Sequence, residues 1–195
     1  MFLCVDRAML VLAIVVALSF GQGVRHPAIP AWRLAPTSFE VTYYDLGGAQ
    51  QYTQEILKVA QATGLEPELI SAVAQVESCS AHHGGIRRYS WGDWSPCSRV
   101  NPWARGAAGE YGLLQVMPYH YGHNPQALYD PYTNLVVGSA YLKQMIAARG
   151  GSVYNGLSAY NKGPAWPYIN HAYSGKAMAY YDSSRPLRKT FTIKL

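Results

Sequence analysis

Between Ala49 and Asn161 the apolar residues recur at three- and four-residue spacing in segments cut short by glycine and proline, and this period limits what the chain can fold into. The first segment runs from about Ala49 to Thr63, with Tyr52, Ile56, Val59 and Ala60 in helical register and Gly64 as its stop. A second opens at Pro67, suited to a first helical turn, and ends near Ser78, with Ile70, Val73, Ala74 and Glu77 on one face. A third follows Asp130-Pro131 to about Arg149, turning Leu135, Gly138, Leu142, Met145 and Ile146 inward before Gly150-Gly151. A fourth covers about Val153 to Asn161 and closes at Gly163-Pro164. No alternating strand pattern competes with them, so the expected class is mainly α. A chain of 195 residues has room for one ordinary domain plus extensions.

The second helix carries the first chemical signal. Glu77 falls where the apolar stripe falls, so its carboxyl group is expected to be partly desolvated, which disfavours the charged form as a general acid near neutrality requires. Taken alone, a glutamate at a helix end more often tips into water. Residues 79–109 show no clear period and hold Trp91, Trp94 and Trp103, as expected of a long binding loop. Gly112 to Met117 is an apolar run ended by Pro118. The chain holds 16 tyrosines and 5 tryptophans against 4 phenylalanines, a bias toward rings that also hydrogen-bond and that suits a groove for a polar polymer.

The ends read differently. Residues 1–23 combine Arg7, an apolar run from Ala8 to Phe20 and a small-x-small pattern at Ala17-Leu18-Ser19, the marks of a secretory signal or an N-terminal anchor. Export to the periplasm or cell envelope is therefore expected. Residues 24–48, with Pro27, Pro30 and Pro36, read as an extended linker, and residues 166–195 as a basic C-terminal extension in which Tyr168, Tyr173, Tyr180 and Tyr181 favour packing on the domain at 49–165. A net charge of +5 favours polyanions in general, cell-wall polymers among them, and without a dense Lys/Arg cluster it gives no signal for nucleic acid. Cys4 lies in the leader, which leaves Cys79 and Cys97 as an even pair bound for an oxidising compartment, and a bridge between them is expected to contribute about 3 kcal/mol.

Four ordered blocks resemble the lytic transglycosylase domain of the soluble, lysozyme-like superfamily: Leu69 to Ser78 ending in Glu77-Ser78, Gly112-Leu113-Leu114-Gln115-Val116-Met117-Pro118, Leu128 to Asn134 running into the following helix, and Leu157-Ser158-Ala159-Tyr160-Asn161-Lys162-Gly163-Pro164. The resemblance covers roughly residues 50–165 and implies a helical lysozyme-like fold with a substrate groove for peptidoglycan glycan strands. It implies that Glu77 is the single catalytic acid and base, protonating the oxygen that leaves from the MurNAc-GlcNAc bond and then taking the proton of the muramic C6 hydroxyl as that hydroxyl closes a 1,6-anhydro ring. Gln115 and Met117 resemble groove residues that position sugars, and Tyr160 resembles the hydroxyl that holds Glu77 and the substrate. Ser78 and Asn161 resemble supporting groups, with local capping as their plainer reading.

The segment between Glu77 and Gly112 is longer than the family's usual connection and contains Asp93 and Glu110, either of which could serve as a second carboxylate and turn the reaction toward hydrolysis, as in a lysozyme. A catalytically inactive wall-binding module is the remaining alternative. His82-His83 and His120 with His123 offer no third ligand at metal spacing and no HExxH motif, so neither metal nor cofactor is expected. A monomer is expected, and the small size resembles accessory enzymes that open the wall for a secretion, conjugation or phage machine.

Overall fold

The helical punctuation works locally as the sequence implies. In the computed structural model, which describes residues 38–79 and 97–194, a 3₁₀ turn at Gly47–Tyr52 leads into α1 (Thr53–Thr63), stopped by Gly64 in the left-handed conformation at φ 73°, with its amide donating to the Ala60 carbonyl at 2.7 Å. Helix α2 (Pro67–Ser78) starts on Pro67. Asp130 caps α3 (Pro131–Ala148) by accepting from the Thr133 amide at 2.8 Å, and Ser152 caps α4 (Val153–Lys162) by accepting from the Asn155 amide. The expected leader at 1–23, most of the expected linker, and residues 80–96 with Asp93, Trp91, Trp94 and His82-His83 lie outside the described residues.

Three features differ from the sequence reading. A further helix, α5 (His171–Ser184), follows α4 inside the expected C-terminal extension; Tyr173 and Tyr181 pack into the core as expected and Ala177 joins them, whereas Tyr168, on the connection before the helix, stands exposed. Two short strands, β1 (Ser38–Tyr43) and β2 (Lys189–Lys194), pair with each other, where an extended linker and a basic tail were expected. Finally, α2 is buried on every side from Glu68 to Ser78, rather than along one stripe. It packs against α1, the 3₁₀ turn and α5, while α3 packs on α1 and α4. A helix surrounded in this way must be apolar or small all round, and Ser71, Ala72, Ala74 and Ser78 provide that. Residues Glu40–Ile193 make up this compact unit.

Polar side chains of α2 tie it to the turn before α1. Ser71 Oγ donates to the Leu46 carbonyl at 2.6 Å, and Gln75 Oε1 accepts from the Gly48 amide at 3.2 Å, which ties the 3₁₀ turn to α2. Cys79 and Cys97 are bridged with their Cα atoms 5.6 Å apart, just beyond the C-terminus of α2.

Candidate active site

Glu77 stands in the last turn of α2, 6% exposed, and lines an open cleft of about 210 Å³. The adjoining Ser78 hydroxyl donates to the Ala74 carbonyl one turn back, so its hydrogen bond is internal to the helix. Glu77 thus sits at the end of a helix buried from Glu68 to Ser78, which gives its carboxyl group a fixed position. It reaches the cleft because the helix ends there.

Facing it is the Gly112–Gln115 turn, a tight hairpin closed by reciprocal amide-to-carbonyl bonds between Tyr111 and Val116 at 3.0 and 2.9 Å. The turn demands two unusual backbone conformations. Gly112 has φ 77°, and a Cβ there would collide with the Asn134 side chain and the Leu128 carbonyl. Gln115 has φ 49°, which costs a non-glycine residue about 1–3 kcal/mol and is the kind of strain that functional turns retain. Leu113 and Leu114 plug the core beneath. Asn134, fully buried in the first turn of α3, accepts from the Leu114 amide at 2.7 Å and donates to the Tyr111 and Leu128 carbonyls at 2.8 and 2.9 Å, so one side chain secures both sides of the turn. Gly138 lets α3 approach: a Cβ there would lie 2.6 Å from Leu114 Cδ1.

Gln115 and Met117 both line the cleft. The Gln115 amide nitrogen, however, donates to the Ala104 and Gly112 carbonyls at 3.1 and 2.9 Å, so half of its hydrogen-bonding capacity supports the turn that carries it. Tyr160 and Asn161, at the end of α4, line the same cleft. The Tyr160 hydroxyl donates to the Leu114 carbonyl at 2.6 Å and locks α4 to the turn, while Asn161 Oδ1 accepts from Asn170 Nδ2 at 2.8 Å. Glu110 lines the same cleft as Glu77, and its Oε2 accepts from the Ala108 amide at 3.1 Å.

Sequence reasoning missed the cleft's aromatic wall. Tyr119 contacts His120 at 4.3 Å between ring centroids, His120 contacts Tyr141 at 4.2 Å, and Tyr141 contacts Tyr160 at 5.4 Å. These four rings form a ladder along the cleft, with flat apolar faces and polar tips of the sort that take up sugar rings. Burial holds the His120 pKa below its ordinary value, so the ring stays neutral near pH 7. Burial also raises the Tyr141 hydroxyl pKa. Among the described residues no group of three or more His, Cys, Asp or Glu is gathered that could hold a metal ion.

Residues 97–179 match the family model of the Transglycosylase SLT domain. The match begins at Cys97 and does not include α2, so Glu77 joins the site through geometry and the motif order. Over 134 residues the chain is 28% identical to lysozyme g of Epinephelus coioides, which spans 61% of this chain and 62% of that protein. Its fold is similar to the 70 kDa soluble lytic transglycosylase of Escherichia coli, with TM-score 0.54 and 21% identity over 70% of this chain and 24% of that one. An inactive mutant of the lytic transglycosylase Slt of Pseudomonas aeruginosa gives TM-score 0.50 and 19% identity over 69% of this chain and 24% of that one. The chain therefore spans about a quarter of each transglycosylase.

Proposed function

We propose, for a chain whose domain match and fold support the lytic transglycosylase family, that it cleaves the β-1,4 bond between MurNAc and GlcNAc in peptidoglycan and leaves 1,6-anhydromuramic ends. The observation that carries this reading is the buried Glu77 carboxyl group, held by a helix end in a cleft that is also lined by a ladder of aromatic rings. Glu77 donates its proton to the departing glycosidic oxygen, the muramic C6 hydroxyl attacks C1 of its own ring, and the Glu77 carboxylate receives the hydroxyl proton. The nucleophile is tethered to the sugar, so the reaction needs neither an activated water nor a second carboxylate. Gln115, Met117, Tyr160 and Asn161 are assigned to positioning the strand, and Ser78 to supporting the helix end. The substrate locates the work in the cell envelope, and the leader at residues 1–23 fits export there.

Clearing of purified sacculi by the mature chain tests the role of Glu77. Glu77→Gln keeps the shape of the side chain and removes its acid, so the rate should fall by about a hundredfold or more while the melting temperature holds. Clearing at the native rate would contradict the assignment.

A second reading, hydrolysis to a reducing end, is favoured by the presence of Glu110 in the same cleft and by the likeness to a protein named lysozyme g. Under the first reading Glu110 braces its loop through the Ala108 amide, and Glu110→Ala should retain most of the turnover. A loss as deep as that of Glu77→Gln would favour hydrolysis.

A further inference from the structure

Immediately beyond the cleft residues Asn161, Lys162 and Gly163 the chain makes a short connection to α5, Pro164 to Asn170, which exposes three apolar side chains in a row of four: Trp166 at 48%, Tyr168 at 74% and Ile169 at 42%. This loop is held open. Arg149 Nη2 donates to the Pro164 and Trp166 carbonyls at 3.1 and 2.9 Å, and the Trp166 amide donates to the Gly163 carbonyl, a cleft residue, at 3.3 Å. At the far end the Asn170 amide donates to Ser158 Oγ at 2.7 Å, and Asn170 Nδ2 donates to Asn161 Oδ1, again at the cleft. Pro164 and Pro167 remove further freedom from the chain. The Trp166 and Tyr168 rings meet edge to face, centroids 6.4 Å apart at 72°, so at least one flat face of the pair is left for something else.

We propose that Trp166 and Tyr168 form an outer sugar-binding platform, on which a glycan strand already seated in the cleft stacks the next N-acetylhexosamine rings beyond it. The proposal rests on the assignment of the cleft to glycan strands. Continuity favours a glycan over a protein partner or a membrane surface: the loop is hydrogen-bonded to the cleft residues at both of its ends, so a polymer leaving the cleft past Asn161 and Gly163 meets these rings next. The aromatic wall inside the cleft has the same chemistry. Neither ring touches the reacting bond, so their contribution is to affinity and chain-length preference.

The test uses the mature chain, the Trp166→Ala/Tyr168→Ala double variant and a Trp166→Phe/Tyr168→Phe control, each also in a Glu77→Gln background that holds strands without cutting them. Dissociation constants are measured for long uncrosslinked glycan strands and for a peptidoglycan tetrasaccharide, together with turnover of both. The double alanine variant should bind long strands roughly two- to tenfold more weakly per ring removed, with KM raised and kcat held, and should bind and cleave the tetrasaccharide normally. The phenylalanine control should recover most of the loss. Unchanged affinity for long strands would overturn the platform, as would an equal loss on the tetrasaccharide, which would mean that the loop merely shapes the cleft. Loss of binding to anionic lipid vesicles with no change on glycan would assign the rings to a membrane and overturn it too. If the native chain cleaves neither substrate but its Glu77→Gln form shows the length-dependent loss, the catalytic reading fails and the platform stands; if no form binds glycan, both fall.

Discussion

At the scale of single residues, His120 links the cleft to pH. Its neighbours are the Tyr119 and Tyr141 rings, and burial lowers its pKa, so the folded chain refuses a proton that the unfolded chain accepts near the ordinary value of 6.5. The sign follows: below that pH the unfolded state binds more protons, so stability falls on acidification through this window and is fully recovered above it. Melting curves between pH 7 and 5 should show the decline, and His120→Phe should flatten it while keeping a ring in the ladder; an unaltered slope would mean that other groups carry it. Glu66 acts in a separate window. The Tyr181 hydroxyl hydrogen bond, aided by Arg185 and Arg188, holds the Glu66 carboxyl below its ordinary 4.5, so its stabilisation is lost only in stronger acid. The position of Glu77 at the cleft was legible from helical spacing and the order of the motifs. The ladder was not, because Tyr119 and His120, Tyr141 and Tyr160 come from three separate segments, and no local period records that their rings will meet.

Among the elements, α2 carries Glu77, and the C-terminal segment clamps its start. Glu68, fully buried in the first turn, receives two bonds from Arg188, Nε to Oε1 and Nη2 to Oε2, both at 2.7 Å. The same Nη2 reaches Glu66 Oε2 at 3.0 Å, the Tyr181 hydroxyl donates to Glu66 Oε1 at 2.7 Å, and Arg188 lies over the Tyr44 ring. Burial, reinforced by the Glu66 bond, pushes the Tyr181 pKa up to about 12. Removing one partner of such a pair strands a buried charge, whereas removing both does not. Arg188→Ala should therefore cost about 3 kcal/mol in chemical denaturation, and Glu68→Leu/Arg188→Met should recover most of it. A double variant as unstable as the single would show that packing, rather than charge, holds the segment. The terminal elements of the domain, β1 at its start and α5 and β2 at its end, are where sequence reasoning fell short. Strand β1 alternates only at Phe39, Val41 and Tyr43, and β2 only at Phe191 and Ile193, too few repeats to separate from a linker. Helix α5 has Gly175 near its middle and tyrosines and alanines rather than an aliphatic stripe. The four helices it did reveal are those with sustained period and clear glycine or proline stops.

For the molecule as a whole, the arrangement is a buried helix delivering one carboxyl group to a cleft that is also lined by a strained turn and a ladder of aromatic rings. The +5 charge of the full sequence suits an anionic wall polymer. A single acid that works without an activated water is the central claim, and it leaves a mark in the product. The direct test is the mass of the muropeptides released from purified sacculi by the mature chain. The account predicts 1,6-anhydro ends, one water lighter than hydrolysis products and absent with Glu77→Gln. Reducing ends from the native chain would contradict it and pass the second role to Glu110.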